Sequence, residues 1–125
     1  MRGIEDNLQK NVFTYFSLQY PHKKGLFFHC PNGGKRNAKE AAKLKGMGVL
    51  PGVPDLLLIH NKTLYGIELK AEKGKVSEHQ NNINNIWRSN GINTYICYGF
   101  DDAIKTLNDI MHGRNMETCS NKGIF

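Results

Sequence analysis

In the stretch GVPDLLLIHNKTLYGIELK, residues 52–70, two carboxylates and one ammonium group stand where they can do chemistry together. Asp55 opens one apolar run, Glu68 nearly closes the next, and Lys70 follows two positions later. The runs read as strands over 55–60 and 63–70, joined by a tight turn at Asn61-Lys62. That turn pairs His60 with Thr63, which sets Ile59 against Leu64, Leu57 against Gly66 and Asp55 against Glu68. Directly opposed residues share a face, with Cβ atoms about 5 Å apart. Alternation then puts Lys70 on the face of Glu68 and turns Leu69 away.

Opposed like charges destabilise a sheet. At ~5 Å and an effective dielectric near 20 the repulsion is on the order of 3 kcal/mol. That is large against a domain's whole stability of ~5–15 kcal/mol. Four arrangements resolve it. One carboxyl can hold a proton, Lys70 alone can neutralise the pair, or a divalent cation can take both as oxygen ligands. The hairpin can also pair in another register, although a one-residue slip flips the apolar set of one strand.

The other elements must position that hairpin. Apolar residues recur at Ile4, Leu8, Val12, Tyr15 and Phe16 with helical spacing, and Pro21 marks the end of that helix. GLFFHC, 25–30, reads as a short buried strand, and PNGGKRN as a loop. NAKEAAKLKG reads as a helix that Asn37 caps, with Glu40 three residues on, and that Gly46 terminates. MGVLPGVP is a glycine- and proline-broken connector, and AEKGKV a charged loop. A helix over 77–90 stops at Gly91, INTYICYG is a further strand, and DDAIKTLNDIMHG is a last helix with Ile104, Leu107, Ile110 and Met111 inward. The order predicts one α/β domain over residues 1–113, a small mixed central sheet flanked by helices. Residues 114–125 show no periodicity and read as a tail, mobile or ordered only against a partner.

Composition sets the remaining bounds. The chain has 125 residues and a net charge of +6, which leans toward a polyanionic partner such as nucleic acid. Cys30, Cys97 and Cys119 form no CxxC pair, and the five histidines are scattered, so neither a disulfide framework nor a zinc site is suggested. The first ten residues are too polar for a signal peptide. No apolar run approaches the ~20 residues of a membrane span. The expectation is a protein of the reducing cytoplasm, with no membrane and no organic cofactor as partners.

Pro54-Asp55 followed by Glu68-Leu69-Lys70 resembles the PD-(D/E)xK nuclease motif. With GVPD before a leucine run, GIELK across a hairpin, SEHQ opening the next helix, and Glu5 and Gln9 in the first helix, the chain resembles the VRR-NUC branch. The likeness extends over roughly residues 4–111 and is to the compact stand-alone form of phages and mobile elements, expected in the cytoplasm of a bacterial host. PNGGKR also looks like that family's polar loop. The resemblance implies a restriction-endonuclease-like fold and roles for five side chains. Asp55 and Glu68 would ligate Mg²⁺, or Mn²⁺ in its place, with the Leu69 backbone carbonyl as a further ligand. Glu5 would complete the acidic cluster, directly or through a water. Lys70 would orient or deprotonate the attacking water, and Gln80 would hold that water or a phosphate oxygen. Three of these have plainer alternatives: Glu5 as a favourable anion in a first helical turn, Gln80 as half of a capping box with Ser77, and Lys70 as a plain salt-bridge partner for Glu68.

Basic residues mark the expected DNA surface: Lys35, Arg36, Lys39 and Lys43 in one loop and helix, and Lys73 and Lys75 beside the second hairpin strand. Asn32 and Gly33 expose backbone N–H groups that can approach a phosphate. PNGGKR is not a P-loop, because Arg36 follows Lys35 where Ser or Thr belongs. No zinc finger or recognition helix is present, so shape and backbone are the expected readout. The resemblance implies a structure-selective endonuclease, a homodimer on branched DNA such as four-way junctions. The competing readings are a non-catalytic nucleic-acid-binding module on the same fold and a flap or restriction-type nuclease.

Overall fold

The computed structural model describes residues 2–31 and 37–114. Helix α1 is Arg2–Gln19, followed by a short 3-10 turn, Pro21–Lys23. Strand β1 is Phe27–His29, α2 is Ala38–Gly46, β2 is Leu56–His60 and β3 is Thr63–Lys70. Then come α3, Glu78–Ser89, β4, Asn93–Tyr98, and α4, Phe100–Met111. One sheet in the order β1-β2-β3-β4 is antiparallel through β3, and β4 joins β3 in parallel. The α3 crossover supplies the length that a parallel pair requires.

The hairpin register is the expected one, His60 with Thr63, Ile59 with Leu64 and Leu57 with Gly66. Asn61 and Lys62 both hold positive φ, 52° and 64°, the geometry of a two-residue turn whose twist matches its strands. Alternation divides the sheet into two faces. Leu56, Leu58, Ile67, Leu69, Tyr95 and Cys97 pack with Val12 and Phe16 of α1 and Ala103, Leu107 and Ile110 of α4. Gly66, Glu68 and Lys70 turn to the opposite face, where α3 lies with Ile83 and Asn84 buried. The carboxylate pair therefore lies on the far side of the sheet from the main core.

Several expected details shift. The strand expected to be buried over 25–30 is an edge strand in which only Phe27 is buried, and Phe28 is 40% exposed. Phe28 sits opposite Leu57, on the sheet face that α3 serves, but at the far edge from the β3–β4 pair. In α1 the inward stripe is Leu8, Val12 and Phe16, while Ile4 and Tyr15 are exposed. Helix α2 runs through Gly46 and closes at Met47, with the Val49 N–H reaching back to the Leu44 carbonyl. None of its residues is buried. Asn37 caps it as expected, its side chain accepting from the Glu40 N–H at 2.7 Å. Arg114, assigned to the tail from sequence, is held by the buried Asp109 at 3.0 Å. Residues 32–36 and 115–125, including Cys119, lie outside the described residues. Among the described residues, no helix is long and apolar enough to cross a membrane.

Gly66 makes the hairpin close enough for chemistry. A Cβ there would stand 2.6 Å from Pro54 Cγ and 3.3 Å from Thr94 Cγ2. Pro54 thus occupies the room a side chain would take, and its ring seats the residue that leads into Asp55. Gly66→Ala should destabilise the protein by about 1–3 kcal/mol, the usual range for overpacking. A urea titration should show a lower midpoint at unchanged slope; a loss below about 0.5 kcal/mol would mean that Pro54 is free to move aside.

Candidate active site

Asp55 lies just before β2 and is fixed at both its backbone and its side chain. Its carbonyl accepts from the Cys30 N–H at 3.1 Å and lies 2.7 Å from His29 Nδ1. Its carboxylate Oδ2 accepts from the Leu69 N–H at 2.9 Å. Asp55 thereby extends the hairpin past the last ladder pair, Leu56 with Ile67, by a side chain rather than by backbone pairing.

Among the described residues Glu68 is the most deeply buried charged side chain. It is 2% exposed. Its Oε2 accepts from Gln80 Nε2 at 2.6 Å and stands 4.0 Å from Lys70 Nζ. Its Oε1 is buried and has no hydrogen-bond partner. An orphaned buried carboxylate oxygen is costly, and one in a native fold calls for an explanation such as an ion. Lys70 is 8% exposed, so its ammonium group is also largely removed from water.

Burial pushes the Glu68 carboxyl up to about 9, and the Asp55 charge reinforces it, with Lys70 opposing and Glu5 adding weakly. Burial raises Asp55 as well, against the Leu69 N–H, a hydrogen bond to Glu68, and the His29 and Lys70 charges. Without a cation, burial and mutual repulsion favour keeping a proton on the pair. Two carboxylates that titrate together in this way are one unit, whose proton is also the obstacle a cation must displace.

Glu5 takes a flanking position. Its Oε2 accepts from the Ala71 N–H at 3.2 Å, one residue past β3. Among the described residues no three His, Cys, Asp or Glu side chains form a group able to hold a metal. The inner donors are thus two carboxylates. A backbone oxygen is also available. The Gly99 N–H holds the Lys70 carbonyl toward β4, so strand alternation directs the Leu69 carbonyl to the β2 side, where Asp55 meets the Leu69 N–H. This all-oxygen set suits a hard divalent ion such as Mg²⁺, which is held by one or two carboxylates and keeps several waters for exchange with phosphate.

Gln80 fills both of the roles its sequence position allows. Its Oε1 accepts from the Ser77 N–H at 2.9 Å while Ser77 Oγ accepts from the Gln80 N–H at 3.2 Å, a complete capping box. Its Nε2 is directed at Glu68. Lys39 and Lys43 on α2, and Lys73 and Lys75 after β3, are exposed, whereas Asn32, Gly33, Lys35 and Arg36 lie outside the described residues. Sequence reasoning missed His29. Its imidazole anchors the Asp55 carbonyl, and the only available signal was the pairing of β1 with β2, which places His29 against Leu56.

The raised carboxyls fix a pH dependence for the metal-free protein. In the unfolded chain Glu68 loses its proton near 4.5, and in the folded chain near 9. Between those values the native state keeps a proton that the unfolded state has lost, so stability falls as pH rises, by at most about 1.4 kcal/mol per unit for this proton. In chelator, the melting temperature should drop steadily from pH 5 to pH 9. Glu68→Gln should flatten that slope and melt higher than wild type at pH 8.5; a parallel slope in the variant would place the titrating group elsewhere.

Comparison with known proteins supplies independent context. No curated protein matches the chain. A solved structure named "VRR_NUC domain protein" superimposes with a TM-score of 0.73 at 22% identity, over 89% of this chain and 90% of that one. At that identity the likeness speaks for the fold. The family model for the VRR-NUC domain matches residues 8–101, from the first helix through both acidic strands to the start of the last helix. With most of its length accounted for in this way, the chain belongs to the VRR-NUC family, nucleases of the PD-(D/E)xK type built on the restriction-endonuclease-like fold.

Proposed function

We propose that this chain is a Mg²⁺- or Mn²⁺-dependent, structure-selective DNA endonuclease that hydrolyses phosphodiester bonds in branched DNA, such as four-way junctions, as a homodimer. The observation that carries the reading is the buried Asp55–Glu68 pair with its orphaned Glu68 Oε1, beside the buried ammonium of Lys70. A divalent ion held here would supply Lewis acidity toward the phosphoryl group and would lower the pKa of a water.

The protein's own groups do the rest. Asp55, Glu68 and the Leu69 carbonyl would hold the ion. Gln80 keeps Glu68 from swinging, and Lys70 places fixed positive charge where negative charge develops on the phosphate. Glu5 sits one step out, where its carboxylate can hold a water. Exposed Lys39, Lys43, Lys73 and Lys75 offer phosphate contacts that position the duplex without reading its sequence. A two-fold dimer would give two symmetric cuts, and one surface suits it. Phe28 and Ile59, 40% and 36% exposed, share the open face beside edge strand β1.

A substrate panel tests this directly. With Mg²⁺ or Mn²⁺, the four-way junction should be cut in preference to flap and plain duplex, and chelator should stop all cutting. Equal cutting of the three substrates would remove the branch preference, and cutting in chelator would remove the metal. Glu68→Gln should lose cleavage while keeping junction affinity, which separates an enzyme from a binding module. Lys70→Met should lower kcat by about 10²–10³-fold, the scale of losing one preorganised charge partner.

A further inference from the structure

The N-terminal turn of α3 is joined to the acidic pair in a way that a helix cap does not require. In a capping box the glutamine oxygen accepts a backbone N–H, and its amide nitrogen has no assigned task. Here the box is complete, with Gln80 Oε1 on the Ser77 N–H at 2.9 Å. Because the oxygen is committed, the amide cannot flip. Its NH₂ end must face the other way, and it meets Glu68 Oε2 at 2.6 Å. With Oε2 taken, Glu68 is left with Oε1 as the oxygen without a protein partner.

The height of this turn above the sheet is set by Gly52. Its φ is +88°, and a Cβ added there would lie 2.5 Å from the His79 carbonyl oxygen, 2.6 Å from the His79 carbonyl carbon and 3.0 Å from the Gln80 nitrogen. The loop that leads into Pro54-Asp55 therefore rests directly on the backbone of the turn that carries Gln80. A side chain at residue 52 would push the donor of Glu68 away from the loop that carries Asp55. Backbone atoms cannot yield as the tip of a long side chain does, and the left-handed φ adds strain for any residue with a Cβ.

We propose that Ser77 and Gly52 are positioning residues of the active site. Ser77 fixes the amide orientation of Gln80, Gly52 fixes its distance, and together they present one chosen oxygen of Glu68 to a divalent cation. This rests on the metal-dependent reading above. The arrangement is that of an outer-shell partner, whose loss typically costs 10–100-fold in metal affinity.

The test compares two caps. Ser77→Ala removes the α3 cap, and Asn37→Ala removes a cap of the same kind on α2, where the Glu40 N–H bonds Asn37 Oδ1 at 2.7 Å. The two cost similar stability, but only the first reaches Gln80: Ser77→Ala keeps the backbone N–H on Gln80 Oε1 and removes the Oγ that accepts the Gln80 N–H at 3.2 Å, so the turn frays and the amide loses its fixed orientation. In the metal-free wild-type protein, NMR should show two well-separated Gln80 Nε2 protons, one shifted downfield by Glu68. Those signals should collapse toward the averaged values of a free amide in Ser77→Ala, persist in Asn37→Ala, and return in Ser77→Thr. Mn²⁺ titrated into the same four proteins should bind roughly 10-fold more weakly to Ser77→Ala alone. Gly52→Ala should show the same loss if it folds. Unchanged Gln80 signals in Ser77→Ala, or an equal loss in Asn37→Ala, would overturn the proposal. Because the NMR arm contains no metal, a wild type that failed to bind Mn²⁺ would count against the metal reading and leave this result standing.

Discussion

Two carboxylates that approach each other where water is largely excluded cannot both stay ionised without a positive charge between or beside them. Asp55 and Glu68 are in that position. Each is raised by burial, Glu68 further by its neighbour, and the nearest ammonium group, Lys70, stands 4.0 Å from the one Glu68 oxygen that Gln80 already holds. Lys70 therefore lightens the repulsion without satisfying Glu68 Oε1. Of the four ways to reconcile the pair, the other-register option is excluded by the observed ladder. Protonation is the metal-free answer, with Oε1 the oxygen left to carry the proton toward Asp55, and a hard cation that displaces this proton is the metal-bound one.

The fold serves this pair through parts that look unrelated. The apolar face packs against α1 and α4 and gives the hairpin a rigid base. On the other face the interior mixes Ile83 and Ile96 with polar groups, and α3 faces it with Gln80 and the buried Asn84, whose amide bonds the Gln80 carbonyl at 2.7 Å. Edge strand β1 does little for the core beyond Phe27, yet its end holds the Asp55 carbonyl through Cys30 and His29. Stability is thus given up on one side of the sheet and recovered on the other, the pattern expected of a site that must keep charge in a dry place.

Much of this was legible in the sequence because it depends on period and on local chemistry. The two-residue turn at Asn61-Lys62 fixes the register, and the register alone brings Asp55 to Glu68. Asn37, Ser77 and Gly91 mark helix ends by their own side chains or their lack of one. What could not be read depends on contacts between distant segments. The exposure of Phe28 follows from β1 lying at the sheet edge, which no local pattern encodes. Ile4 and Tyr15 match a helical stripe, but the surface of α1 that meets the sheet is narrower than that stripe. The fit of Gly52 against His79, and of Pro54 over Gly66, is set by tertiary approach, and the sequence shows only a glycine and a proline among several. Gln80 posed a choice between capping and site chemistry that local reasoning could not settle, because the side chain does both with its two ends.

The central claim is that Asp55 and Glu68 jointly hold a hard divalent ion in place of a shared proton. Calorimetric titration of Mn²⁺ near pH 7, repeated in buffers of different ionisation enthalpy, measures binding and proton release together. The account predicts saturable binding to wild type with release of about one proton per ion, and loss of both in Asp55→Asn and Glu68→Gln. Binding without proton release, or binding that survives both substitutions, would contradict it.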